Sequence, residues 1–219
     1  MKILSLLGLW ILINVHNPLF SQEIADVDGN TYPVLSMGEH QWTTENLRVT
    51  RFNNGDLIPQ AQTAEEWLNA SKNKRPAWCY YEDEAGIDQT TVLYNWYAVA
   101  DSRGVCPVNW HMPSSAEFAT LNSFIGSDGG SLKEAGLTHW NSPNTGASNK
   151  YNFTALATGY MGTLSPSGLG NVTYFWTVTS NTTDNTRAYT RALSKDNALF
   201  VESNLNDKIG GFSVRCIHD

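Results

Sequence analysis

Basic side chains are scarce in this chain. Lys and Arg number 14 against 21 Asp and Glu, a formal charge of −7, and only Lys72-Asn73-Lys74-Arg75 is locally basic. A nucleic-acid partner calls for a cationic surface that neutralises phosphates, so this balance argues against one. Long apolar runs are also missing: beyond the N-terminal stretch, nothing approaches the ~18 residues that a membrane-spanning helix needs. Cysteine is sparse as well. Three thiols permit one intramolecular pair and leave one over, without saying which residues pair. There is no Gly-x-Ser-x-Gly elbow, no phosphate loop and no His-Glu-x-x-His. His40, His111, His139 and His218 are scattered without metal-ligand spacing, so neither a metal nor another cofactor is expected.

What the chain does have begins with an export signal over residues 1–21. Lys2 supplies the positive start, Ile3 to Val15 is mostly apolar, and Ser21 offers a small residue at a cleavage site. Loss of Lys2 with the signal takes the charge from −7 to −8. Residues 22–219 suit one domain, rich in Trp and Tyr with Asn, Thr, Ser and Gly between. Export permits disulfides and implies a secreted, periplasmic or cell-surface location.

Ile24 to Val49 reads as a strand meander with turns at Asp28-Gly29 and Gly38-Glu39-His40. Asp26 to Asn30 tempts a calcium-loop reading, but the sixth and twelfth positions are Thr31 and Met37, where an EF-hand needs glycine and a carboxylate. Thr63-Ala64-Glu65-Glu66 opens a short helix carrying Trp67. Glu82 to Asp88 reads as an acidic loop, solvated or holding a cation through Glu82, Asp83 and Glu84. Leu93, Trp96, Tyr97 and Ala100 predict a helix by their i, i+3, i+4, i+7 spacing. Ser114 and Glu117 form a capping box for a second helix, with Phe118, Leu121, Phe124 and Ile125 as its buried stripe and Gly126 as its stop. From Ser127 to Tyr151 a polar loop follows, of a length that usually carries function. Short strand candidates then recur at 153–157, 159–164, 172–179, 186–193, 199–202 and 212–217. The order strands, two helices, strands predicts an α+β domain.

Taken in order, several fragments resemble one family: Asp28-Gly29-Asn30-Thr31-Tyr32, Trp42 with Glu45-Asn46-Leu47, Trp78-Cys79-Tyr80, Leu93-Tyr94-Asn95-Trp96, Cys106-Pro107 with Trp110-His111-Met112-Pro113-Ser114, Phe175-Trp176-Thr177 and Phe212-Ser213-Val214-Arg215-Cys216. Together they are similar to the Fibrobacter succinogenes major paralogous domain family of exported bacterial proteins. The resemblance implies a C-type-lectin-like fold, with two helices packed on antiparallel strands and a long loop region. It also implies a Cys106–Cys216 disulfide. Members often carry a second cysteine soon after the Trp-Cys-Tyr piece, which this chain lacks between Cys79 and Cys106. Met112-Pro113-Ser114 with Ala116-Glu117-Phe118 is similar to a segment of formylglycine-generating-enzyme-like proteins.

The functional expectation is a non-enzymatic binding module for an extracellular ligand, a glycan or a cell-surface protein. Sugar recognition wants aromatic faces together with amides and carboxylates. Trp140, Asn141, Asn144 and Asn149 in the long loop, and Asn204, Asn206 and Asp207 before the last strand, supply those types. Trp140 is either an exposed platform or a plug between loops. A structural, surface-assembly protein is the second reading. An enzyme related to the formylglycine-generating group is the third.

Overall fold

The computed structural model describes residues 22–83 and 86–219; the expected export signal, residues 1–21, lies outside them. Three sheets share the described chain. In the first, β1 (Glu23–Ala25), β2 (Thr31–Met37) and β3 (His40–Thr43) form the expected meander, and β11 (Ile217–His218) adds to its far edge in the order β1-β2-β3-β11. The second is a two-stranded ribbon of β4 (Trp78–Asp83) and β5 (Gly86–Tyr94). The third has the order β10-β9-β8-β6-β7, built from β6 (Thr158–Met161), β7 (Pro166–Leu169), β8 (Val172–Ser180), β9 (Arg187–Ser194) and β10 (Val201–Asp207).

Three α-helices accompany them among the described residues: α1 (Ala64–Lys72), α2 (Trp96–Val99) and α3 (Ser115–Phe124). Strand accounts for 35% of the chain and helix for 14%, so the protein is mostly β. The expected α+β, C-type-lectin-like arrangement of two helices on strands is thereby overturned. The reason is local. Leu93, which opens the supposed helical stripe, is with Tyr94 a fully buried residue of β5. Asn95 then caps a single helical turn, its side chain accepting from the Ala98 N–H. A short, aromatic-rich apolar run fits a buried strand as well as a helix, and here the strand wins.

α3 follows its capping chemistry. Ser114 Oγ accepts from the Glu117 N–H, and Glu117 Oε2 accepts from the Ser114 N–H at 2.6 Å. Phe118 and Leu121 are buried and Ile125 closes the stripe, while Phe124 turns outward beside Tyr151. Where an acidic loop was expected at 82–88, β4 and β5 form a hairpin; its tip, residues 84–85, and hence Glu84, lies outside the described residues.

The segment Gly211–His218 ties the sheets together. Gly211 exchanges backbone hydrogen bonds with Met161 of β6, Phe212 with Tyr94 of β5, and Ile217 with His111. Ser213 bonds to Tyr174 and Trp176 of β8. Phe212, Ser213, Val214, Arg215, Cys216 and Ile217 are all buried, so this segment has no solvent side. The Cys106–Cys216 disulfide, with Cα atoms 5.8 Å apart, anchors this seam to the link that follows α2.

Candidate functional site

Long loops need partners for their backbone carbonyls. Two buried cations supply them here. Arg215, 1% exposed, donates from Nη1 to the carbonyls of Thr43 (2.9 Å) and Phe153 (3.0 Å), from Nη2 to that of Thr154 (3.1 Å), and from Nε to Asn46 Oδ1 (2.6 Å). Burial pulls its pKa down to about 9, opposed by the charge of Glu45, so the guanidinium stays protonated at neutral pH. Lys133 does the same for the other end of the long loop. Its Nζ donates to the carbonyls of Thr145, Ser194 and Asn197 at 2.8 to 3.0 Å, which uses all three ammonium hydrogens.

Between these clamped loops lies a groove. One cavity of about 600 Å³ is lined by the Thr44–Arg48 turn, Thr90 and Thr91 of β5, Glu134 and His139 of the long loop, and Arg215. A second, of about 410 Å³, continues from it past Leu137, Asn141 and Leu169; the two share Thr90, Thr91, His139, Leu156 and Thr158. The walls carry two pairs of ionisable side chains. Arg48 Nη1 donates to Glu45 Oε2 at 2.7 Å, with the guanidinium stacked 5.1 Å above the Tyr32 ring. His139 Nδ1 meets both oxygens of Glu134, at 2.8 and 2.9 Å. Beneath them a line of polar groups runs through the protein: Asn46 Nδ2 donates to Ser213 Oγ, which is hydrogen-bonded to Thr158 Oγ1, itself 2.8 Å from Thr173 Oγ1. The floor is hydrogen-bonded and the rim is polar, with Leu137 and Leu169 exposed at one end.

A sequence model of the Fibrobacter succinogenes major domain matches residues 35–218, which takes in every segment that lines the groove. The chain belongs to that family. No curated protein and no solved structure matches it.

In this Fibrobacter succinogenes major domain the residues expected at a ligand surface are not brought together. Trp140 is 1% exposed; its Nε1 donates to the Ala155 carbonyl and Lys133 Nζ sits 5.2 Å from its ring, so it is a plug behind the groove. Asn141 is exposed at the groove, its amide donating to Asn171 Oδ1. Asn144 is buried, pinning its own loop through the Glu134 and Gly136 carbonyls, and Asn149 braces Thr154. Asn204, Asn206 and Asp207 lie on β10, at the opposite edge of the sheet from β7 and the Gly170 turn that contacts Asn141. Asn206 Nδ2 is spent on Thr190 Oγ1, and Asp207 faces Arg187 at 3.4 Å.

Two other side chains, Asp26 and Cys79, are accounted for by their surroundings. Asp26 is saturated by protein donors: the N–H groups of Asp28 and Asn30, the Asn30 amide and the Tyr32 hydroxyl at 2.6 Å. That closes a hairpin rather than a calcium loop. Cys79 is buried, and burial pushes its thiol up to about 12. The cavity of about 150 Å³ that it lines has no histidine in its wall to act as a base.

The groove-forming residues Thr44, Glu45, Arg48, Thr90, Glu134, His139 and Arg215 form no catalytic or ligand-binding motif in the sequence. They arrive from segments far apart in the chain, and each polar piece alone reads as a solvated loop. One signal was present: Arg215 is the single charge within 212–217, between Val214 and Cys216.

Proposed function

We propose that this protein is an exported, non-enzymatic binding module whose groove takes a hydroxyl-rich extracellular ligand, a glycan. The observation that carries this reading is the adjoining pair of cavities, about 600 and 410 Å³, walled by the Glu45–Arg48 and Glu134–His139 pairs over a hydroxyl-lined floor. Carboxylates, guanidinium, imidazole and threonine hydroxyls in one cleft offer both acceptors and donors, as a polyol requires. Leu137 and Leu169 offer apolar contact for the carbon face of a sugar ring. The buried disulfide supports an oxidising destination.

A glycan array followed by calorimetry on the strongest hits tests the reading. Glu45→Gln and His139→Ala change exposed groups that hold no core contact, and each should weaken binding about tenfold or more if it faces the ligand, with unchanged thermal stability. A flat array at high protein concentration, or hits whose affinity neither substitution alters, would overturn the assignment of a glycan to this groove. A partner captured instead through the exposed edge strand β10, where Val201 and Leu205 face solvent, would favour surface assembly.

A further inference from the structure

Three of the four histidines of the described chain, scattered in the sequence, meet at one place in the fold. β11 pairs with β3, which sets His218 opposite Gln41 and beside His40. Ile217 exchanges both backbone hydrogen bonds with His111, which brings the start of α3 to the same corner. Asp219 follows on directly. The result is a trio in which a ligand atom of His111, one of Glu117 and one of Asp219 all lie within 4.8 Å of one another. His111 Nε2 and Glu117 Oε1 are 2.8 Å apart. Glu117 spends its other oxygen on the Ser114 N–H, so the capping box fixes the carboxylate with Oε1 directed at the imidazole.

A second observation points the same way. His40 Nδ1 is shielded from solvent and makes no hydrogen bond; the charged atom facing it is Asp219 Oδ1, at 3.4 Å. A buried ring nitrogen without a partner is costly, and it is satisfied if Asp219 is drawn into a fixed orientation as its acceptor. His218 is engaged elsewhere, its Nδ1 on the Asp219 main-chain oxygen at 2.6 Å and its ring 5.5 Å from that of Trp110.

We propose that His111 Nε2, Glu117 Oε1 and an Asp219 carboxylate oxygen bind a divalent transition-metal ion of the zinc class, with His40 as the positioning residue that orients Asp219. One imidazole nitrogen with two carboxylate oxygens is a borderline donor set, suited to zinc and its neighbours and not to calcium, which takes oxygen ligands in larger number. Around a tetrahedral ion with bonds of ~2.0 Å, ligand atoms stand about 3.3 Å apart. The 2.8 Å between His111 and Glu117 needs to open by only about half an ångström to reach that spacing. Three protein ligands leave a fourth position on the solvent side, where Asp219 is exposed.

The test uses the full disulfide-bonded protein, stripped with chelator and titrated with zinc chloride by calorimetry, with bound metal counted by elemental analysis after dialysis. One zinc per chain is expected. His111→Ala and Glu117→Gln should each weaken it by about tenfold or more. Glutamine at the third helical position still caps, so Glu117→Gln keeps α3 folded and separates ligand loss from unfolding. His40→Ala should weaken zinc less than either. His139→Ala, in the groove, should leave it unchanged. The proposal is overturned if zinc fails to bind stoichiometrically, if His111→Ala and Glu117→Gln bind as wild type, if His139→Ala alone loses the ion, or if calcium displaces it at equal concentration. Each outcome is independent of whether the groove binds a glycan.

Discussion

Replacing Arg215 by Met asks whether the carbonyl cage around a buried guanidinium holds the groove together. Methionine keeps the length and apolar bulk of the side chain and removes the charge and all its donors. The carbonyls of Thr43, Phe153 and Thr154 then lose the donor they face, as does Asn46 Oδ1. A buried acceptor left unpaired costs about 1–3 kcal/mol, so three backbone carbonyls amount to roughly 3–9 kcal/mol. Against this stands the relief of not desolvating a guanidinium, which returns several kcal/mol. No carboxylate lies within ion-pair distance of Arg215 among the described residues, so no orphaned counter-charge adds to the loss. Its contacts with the rings of Phe153 and Phe175, at 4.5 and 5.6 Å, are forfeited too. The net expectation is a destabilisation of about 3 kcal/mol. With a urea m-value of about 2–3 kcal/mol/M, the denaturation midpoint falls by about 1 M or slightly more. Arg215→Lys keeps the charge with three donors in place of five and should fall between the two proteins. The assay is equilibrium urea denaturation followed by tryptophan fluorescence. If Arg215→Met is as stable as wild type, desolvation outweighs the cage, and the account of how the groove floor is built is wrong.

Two further perturbations probe the seam and the spare thiol. Cys106→Ala with Cys216→Ala opens a loop spanning a sequence separation of 110 and should cost about 4–5 kcal/mol in the chain-entropy account, read by the same urea titration; a loss under about 1 kcal/mol would show that the seam holds without its bond. Cys79, its thiol raised by burial to about 12, should resist iodoacetamide at pH 8 in the native protein and react fully in urea. Its protonated form contributes stability that is intact below the ordinary thiol pKa of 9.0 and declines as pH rises toward 12; Cys79→Ala should remove that share of the alkaline loss, and rapid native labelling at pH 8 would contradict the burial.

Local chemistry was legible in the sequence wherever a residue acts on its near neighbours. Ser114 and Glu117 announce the start of α3, Thr63 that of α1, and Asp28-Gly29 the first hairpin, because caps and turns are settled within four residues. The strands at 172–180 and 187–194 were equally plain. The helix expected at Leu93 to Ala100 was overextended: Leu93 belongs to the end of β5, and only Trp96–Val99 is a helical turn. Trp140 shows the same limit in a loop: nothing nearby in the sequence reveals that Ala155 accepts from its ring and that Lys133 packs on it. The groove was illegible for the same reason, since Glu45, Thr90, Glu134 and Arg215 meet only after three sheets have closed around the last strand.

The scarcity of cations acquires a structural meaning once their positions are known. Lys133, Arg191, Lys208 and Arg215 are buried, and burial lowers the pKa of each. Their partners are mostly main-chain oxygens from loops: Thr145, Ser194 and Asn197 for Lys133, Asn185 for Lys208, Phe200 for Arg191, and Thr43, Phe153 and Thr154 for Arg215. A β protein with long connections and little helix has many carbonyls that no ladder satisfies. A single ammonium or guanidinium can gather three of them from segments far apart, which no neutral side chain can do. Glu45 lies two residues beyond Thr43 and Glu134 follows Lys133 directly, and they supply the two carboxylates of the groove. The buried cations therefore anchor the segments from which the two groove carboxylates extend.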